Sequence, residues 1–211
     1  MKVFVILGTG TNVGKTYLTC KMIEYLKLKG KSVFAIKPVI SGFDKNQEND
    51  LSQLINAMKN NVNEEEISCY RLKEPLSPNI AAKYEGLELS YSKILSFCQK
   101  HIAEAKCDYL LIETAGGAFS PLTNNKMCCD LVRDIPQAKA ILIANNYLGA
   151  ISHSISAITV TKPNYFIFNE QEPNKYSRDV FENIRSFSNF QNAIYYENTL
   201  EQAVFSKIFQ C

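Results

Sequence analysis

The chain predicts an α/β fold, a mostly parallel β-sheet with helices on both faces, and three observations carry that expectation. Short apolar runs rich in Val, Ile, Phe and Tyr recur along the sequence. Longer segments with helical spacing separate them, which is the alternation of strands joined by crossover helices. The first run, Val3-Phe4-Val5-Ile6-Leu7, ends in a glycine-rich loop that opens onto a helical segment.

Taken in order, the strand at 2–7 is that first run, and the periodic segment after the loop gives a helix at 15–29. Val33-Phe34-Ala35-Ile36 marks a strand at 32–36, and helices are expected at 50–60, 79–85 and 90–106. Tyr109-Leu110-Leu111-Ile112 marks the strand at 108–113, with a helix at 126–134 beyond it. Strands at 139–144, 165–169 and 193–196 follow, alternating with helices at 149–161, 176–188 and 200–209. The polar segment Phe43 to Asn49 reads as a mobile surface loop, and Asn60 to Glu66 as a solvated helix end and connection.

Composition bounds the function. With 211 residues, 46% of them apolar and 21% charged, the chain reads as one globular domain, 1–211, able to bury roughly 70% of its unfolded surface. A net charge of +2 supplies no basic field for nucleic acid or an anionic membrane, so small molecules are the expected partners. Seven scattered cysteines, an odd number with no C-x-x-C spacing, fit reduced thiols and a cytoplasmic location. Cys128-Cys129 suits helix packing better than zinc, since His101 and His153 are the chain's two histidines. With an apolar strand starting at residue 2 no leader is expected, and no apolar run nears the ~18 residues of a membrane span.

In open parallel sheets ligands collect at the carboxyl ends of the strands. After the first strand stands Gly8-Thr9-Gly10-Thr11-Asn12-Val13-Gly14-Lys15-Thr16, a phosphate-binding loop. Its backbone N–H groups and the following helix N-terminus suit an anion, Lys15 would reach the β- and γ-phosphates, and Thr16 would offer its hydroxyl to Mg²⁺. Five residues rather than the usual four separate Gly8 from Gly14. A chance Lys-Thr in a glycine-rich turn is the alternative, and the strand before and helix after argue against it. Lys37, after the second strand and before Pro38, would bring a second cation to a transferred γ-phosphoryl group. Glu113 ends the third strand where a carboxylate would hold Mg²⁺. Asp50 either caps its helix or adds a second carboxylate to the metal.

The blocks Gly8-Thr9-Gly10-Thr11-x-Val13-Gly14-Lys15-Thr16, Lys37-Pro38-Val39-x-Ser41-Gly42, Leu76-Ser77-Pro78-x-x-Ala81-Ala82, Glu113-x-Ala115-Gly116-Gly117-x-x-x-Pro121-Leu122 and Leu148-Gly149-x-Ile151-x-His153 resemble dethiobiotin synthetases, in that family's order. The long loop spacing is similar to the family's own, whereas Gly10, Asn79 and Ser152 stand where it more often has Asp, His and Asn. The resemblance implies a P-loop NTPase-like ligase that uses ATP and Mg²⁺ to join CO₂ to 7,8-diaminononanoate. It implies catalytic roles for Thr11, Lys15 and Lys37, and a metal held by Thr16, Asp50 and Glu113. Nucleotide contacts fall to Asn12, Val13, Gly14, Lys15, Thr16, Tyr17, Asp50, Glu113, Gly116, Asn169 and Glu170. Substrate contacts fall to Thr11, Ser41 and Gly117, and to Gly149, Ala150 and Ser152 across the interface of a homodimer.

A competing class is the ATPase switches that partition DNA or position division machinery on the same sheet. They usually carry a lysine two residues after the first loop glycine, where this chain has Gly10. Their membrane-binding members end in a basic amphipathic helix, whereas Leu200 to Cys211 holds one Lys and no Arg. A glutaminase-linked amide synthetase would need a far longer chain.

Overall fold

Six of the apolar runs are too hydrophobic to face water on either side, and they stack into one parallel sheet buried on both faces. The computed structural model describes residues 1–59, 61–170, 174–197 and 201–210. In chain order the first elements are β1 (Lys2–Gly8), α1 (Lys15–Leu28), β2 (Val33–Ile36), β3 (Val39–Ser41), α2 (Asp50–Met58), α3 (Glu64–Ile67), β4 (Tyr70–Leu72), α4 (Pro78–Tyr84) and α5 (Tyr91–Glu104). They are followed by β5 (Tyr109–Glu113), α6 (Asp130–Asp134), β6 (Ala138–Ala144), α7 (Ala150–Thr161), β7 (Tyr165–Asn169), α8 (Ser177–Ser188), β8 (Ala193–Tyr196) and α9 (Glu201–Phe209).

The main sheet runs β2-β5-β1-β6-β7-β8, with every neighbouring pair parallel. β1 therefore lies between β5 and β6, and its Ile6 pairs with Glu113 on one side and Ile141 on the other. That register delivers the end of β5 beside the loop that leaves β1. Every residue from Tyr109 to Glu113 is buried, so Glu113 enters the interior with its charge.

α1 buries Leu18, Met22, Ile23, Tyr25 and Leu26, an unusually wide apolar face because it packs against α2 and α9 as well as the sheet. Tyr25 meets Phe205 and Phe209, with ring centroids 5.6 and 6.2 Å apart. Phe209 also meets Phe4 edge-on at 5.2 Å and Tyr109 at 5.4 Å, so α9 closes the core beneath β1 and β5.

The six expected strands and the helical stretches are present to within a residue or two at most ends. The exceptions have physical reasons. The helix expected at 126–134 is limited to Asp130–Asp134, because Leu122 and Thr123 donate their N–H groups to Lys126 O at 2.8 and 3.0 Å and fold the segment into a turn. Between Asn61 and Glu66 the expected plain connection contains the start of α3, which Asn63 opens with a capping box to Glu66. β3 and β4 form a separate two-stranded parallel sheet, each too short to produce a periodic signal. The 43–49 segment is tied internally, since Asp44 accepts from the Asn46 N–H at 2.8 Å and from Gln47 at 2.9 Å. Asn60 and Leu200, placed in expected helices, lie outside the described residues.

Phe209→Ala should lower unfolding stability by about 3–5 kcal/mol, because it empties the junction of Phe4, Tyr25 and Tyr109. Urea unfolding of the purified variant measures this, and a loss below about 1 kcal/mol would contradict the packing described.

Candidate active site

The phosphate loop is shaped by steric limits and by ties to neighbouring strands. A Cβ on Gly8 would lie 2.9 Å from both Gly10 O and Val13 Cγ2, closer than real Cβ contacts come, so the chain can turn there only without a side chain. Asn12 and Gly14 take φ of 59° and 87°, and Gly14 leads directly into α1. The Thr9 N–H donates to Ile143 O at 2.8 Å, and the Ala118 N–H to Gly8 O at 2.7 Å. The loop is thus anchored to β6 on one side and to the segment after β5 on the other. A Cβ on Gly10 would meet nothing nearer than Val13 Cγ1 at 3.9 Å, so its lack of a side chain is not required by packing.

Four polar side chains converge beside this loop. Thr16 Oγ1 donates to Glu113 Oε1 at 2.6 Å, and Lys37 Nζ donates to the same oxygen at 2.7 Å. Lys37 also donates to Asp50 Oδ2. The Lys37 side chain is 5% exposed and that of Glu113 0%, so each charge is kept in the interior by the other. Burial alone would lower the Lys37 pKa, but Glu113 and Asp50 outweigh it and hold it above the ordinary lysine value. Burial would likewise raise the Asp50 carboxyl, and Lys37, helped by Thr16, pulls it below its usual value. Lys15 Nζ folds back to Gly10 O at 3.3 Å. Burial first, and Lys37 second, bring its pKa down to about 8.

Local sequence explains these directions. The Lys37 N–H is pinned to Ile67 O at 2.9 Å, which fixes the turn out of β2. Asp50 is not the cap of its helix: Asn49 is, accepting from Leu51 N and Ser52 N while Ser52 Oγ accepts from Asn49 N. Capping by the preceding asparagine leaves the Asp50 carboxylate to face Lys37. Thr16, Asp50 and Glu113 together offer three hard oxygen donors, and Glu113 Oε2 is buried without a partner. Such a set fits Mg²⁺.

The group faces a cleft of about 960 Å³. Thr11, Asn12, Gly14, Lys15, Thr16 and Tyr17 line it from the loop and α1, Lys37, Ser41 and Gly116 from the neighbouring strand ends, and Asp50 from the start of α2. Ser41 Oγ is buried there without a partner. A smaller hollow of about 470 Å³ between the 119–133 segment and the end of α7 contains none of the expected site residues. Gly117 sits behind the cleft wall, where a Cβ would come 3.2 Å from Gly10 Cα. Val13 is buried and its carbonyl accepts from Asn169 Nδ2 at 3.0 Å, so Asn169 touches the loop from its far side with Oδ1 unpartnered. Next to it partial burial would raise the Glu170 carboxyl, but hydrogen bonds from Tyr195, the Asn174 backbone and Ser177, with the nearby Arg178 charge, together keep it below the usual range. The Arg178 guanidinium lies 3.8 Å over the Tyr195 ring.

Gly149, Ala150 and Ser152 do not border this cleft within the chain. Gly149 begins α7 with φ 102°, and no side chain caps that helix. Sequence reasoning gave no site role to five polar residues that line the cleft: Glu48, Asn49, Gln53, Ser77, which it quoted only within a matched block, and Ser120. Gln53, one turn after Asp50, was discoverable from helical spacing. Ser77 was visible as the residue before the helix-starting Pro78.

A glycine-rich loop, a strand-end lysine and a strand-end glutamate on parallel strands define a P-loop nucleotide-binding fold. Solved structures agree on the fold: FtsY from Mycoplasma mycoides matches with a TM-score of 0.59 at 15% identity over 100% of this chain and 69% of its own. The MinC:MinD complex of Aquifex aeolicus matches with a TM-score of 0.55 at 16% identity, over 100% and 89%. A family model described as an AAA domain matches residues 2–193. The ATP-dependent dethiobiotin synthetase BioD of Caulobacter sp. (strain K31) is 37% identical over 164 residues, 77% of this chain and 71% of the relative. That of Phenylobacterium zucineum is 34% identical over 167 residues, 77% and 71%, and that of Bacillus velezensis 30% over 163 residues, 77% and 69%. The chain belongs to the family of ATP-dependent dethiobiotin synthetases.

The depressed Lys15 value sets a pH dependence. Between pH 8 and 10.5 the unfolded chain binds a proton at Lys15 that the folded chain has released, so this residue's contribution to stability rises with pH through that window and is flat below it. Relative to Lys15→Met, the ligand-free wild type should therefore gain about 2 kcal/mol of stability between pH 8 and pH 10. Paired urea titrations at the two pH values test this, and a constant difference would contradict it.

Proposed function

We propose that the cleft closes the ureido ring of dethiobiotin from 7,8-diaminononanoate, CO₂ and ATP. One observation carries the reading: Lys15 and Lys37 approach the same cleft from different elements, beside a Thr, Asp and Glu set that suits Mg²⁺. An uncharged amine of the substrate attacks CO₂, forming a carbamate and releasing a proton. A carbamate oxygen then attacks the γ-phosphorus, and ADP leaves. The second amine attacks the carbonyl carbon of this carbamic–phosphoric anhydride and expels phosphate, and loss of its proton completes the ring.

The chain's residues suit the electrostatic demand of those steps, which bring two anions together. Lys15 contacts the phosphates in ground and transition states alike, whereas Lys37 neutralises charge that develops on the transferred group. Mg²⁺ held by Thr16, Asp50 and Glu113 would neutralise the β- and γ-phosphate oxygens when bound. The backbone from Asn12 to Thr16, with Val13, Gly14, Tyr17 and Gly116, would cradle the nucleotide. The unpartnered Asn169 Oδ1, beside Glu170, suits an exocyclic amine of the base. Thr11 and Ser41 would bind the diamine or its carbamate, whereas Gly117, expected to do so too, does not line the cleft and gives its N–H to Ser120 Oγ.

The acid end of a nine-carbon substrate lies far from its amines, and among the described residues the cleft wall has no Arg. We read the start of α7 as the site that receives this carboxylate from the partner subunit of a homodimer: Gly149 and Ser152 are exposed there, Ala150 is buried with its N–H already given to Tyr147 O at 2.9 Å, and the other first-turn N–H groups and the helix dipole would hold the anion. We read the chain as one domain, 1–211, working in the cytoplasm, where the free cysteines would stay reduced.

Phosphate release from ATP with Mg²⁺ and bicarbonate should be negligible without the diamine and appear on adding it. Lys37→Ala should then lower turnover by more than it weakens nucleotide binding. Vigorous diamine-independent hydrolysis would favour an ATPase switch instead. Light scattering should give a dimer, and Ile151→Pro, which removes one N–H donor from the first turn of α7, should raise the diamine KM with ATP binding nearly unchanged. A fully active monomer would contradict the shared site.

A further inference from the structure

Ser120 stands on the wall of the cleft, seven residues after the buried Glu113, and its polar groups can be accounted for one by one. Its N–H donates to Gly117 O at 3.0 Å, and its carbonyl accepts from the Cys128 N–H at 3.1 Å. Its Oγ accepts from the Gly117 N–H at 2.9 Å. A serine hydroxyl has one donor and two acceptor positions, so after these contacts the O–H proton remains, and no acceptor faces it among the described residues. An oxygen that already accepts from a backbone N–H is also a better donor, because the bonds polarise one another.

The surroundings give that donor room and direction. Gly116, at φ +60°, leaves a notch that a side chain would fill: a Cβ there would lie 2.6 Å from Ser120 Oγ and 3.9 Å from Thr11 Oγ1. Two hydroxyls therefore flank one side-chain-free floor that opens into the cleft. The cations Lys15 and Lys37 enter the same cleft from α1 and β2, where they serve the phosphates. An anionic oxygen between Ser120 and Thr11 would be held by neutral donors that fix its position without competing for phosphate charge.

We propose that Ser120 is a further substrate-contacting residue, whose hydroxyl donates a hydrogen bond to a carbamate oxygen of the phosphoryl acceptor and, with Thr11, orients that group toward the γ-phosphorus. This inference rests on the ligase reading above. It makes Gly116 and Gly117 serve one purpose: the first leaves the notch open, and the second supplies the N–H that aims the Ser120 hydroxyl.

The test compares Ser120→Ala and Ser120→Thr with wild type in three readouts: steady-state kinetics with the diamine, calorimetric affinity for a non-hydrolysable ATP analogue, and thermal melting. Ser120→Ala should lower kcat/KM for the diamine roughly 10-fold or more, while nucleotide affinity stays within about twofold. Ser120→Thr, which keeps the hydroxyl, should recover most of the loss. Unchanged diamine kinetics in Ser120→Ala would overturn the proposal. So would an equal loss of nucleotide affinity, or a loss that tracks a lowered melting temperature and is not rescued by threonine, since either outcome reduces Ser120 to a turn anchor. A wild-type protein with no diamine-dependent turnover would overturn the ligase reading and this inference with it, whereas an active wild type matched by Ser120→Ala overturns this inference alone.

Discussion

The ion pair between Lys37 and Glu113 is the constraint on which the site's arrangement depends. Glu113 is carried into the interior by the hydrophobic demand of β5, a strand buried along its whole length. A carboxylate there is tolerable only with a cation and donors at hand. Lys37 supplies the cation from the end of β2, and Thr16 the donor from the first turn of α1. Three elements remote in sequence are drawn to one carboxylate oxygen, and the phosphate loop is positioned between them. Asp50 joins through the same ammonium. The chemistry of the cleft thus grows from a burial problem posed by the sheet and answered at its carboxyl edge.

Much of this was legible in the sequence, for identifiable reasons. The six long apolar runs specify buried parallel strands because no surface strand tolerates such continuity. The loop from Gly8 to Thr16 carries its own geometry in its glycines, and the rule that strand ends carry ligands pointed to Lys37 and Glu113, which meet beside that loop. What escaped was short or three-dimensional. β3 and β4 span three residues each, too few for a period. The helix expected from 126 is partly displaced by a turn around Asn124-Asn125. Asp50 was ambiguous between cap and ligand until Asn49 proved to hold the cap. The direct Lys37 to Glu113 contact joins residues 76 apart in sequence, and local pattern contains no information about it.

The fold alone does not select the chemistry. FtsY and the MinC:MinD complex share the architecture at 15% and 16% identity, and unrelated functions are regularly built on one such sheet. What separates this chain is at the site. Gly10 replaces the lysine that ATPase switches use, and the cleft is walled by hydroxyl-bearing loops after β3, β4 and β5. The family match places the chain among ATP-dependent dethiobiotin synthetases, and the cations beside a Thr, Asp and Glu set suit the phosphates of ATP.

A double-mutant cycle on Lys37 and Glu113, read by urea unfolding of the ligand-free protein, tests the central claim most directly. Lys37→Met should cost about 3–5 kcal/mol, because it leaves the buried Glu113 without a cation, Glu113→Leu should cost less, because Asp50 still accepts from Lys37, and the double variant should lose clearly less than the sum of the two. Two small losses that simply add would show that neither charge depends on the other, and would contradict the account.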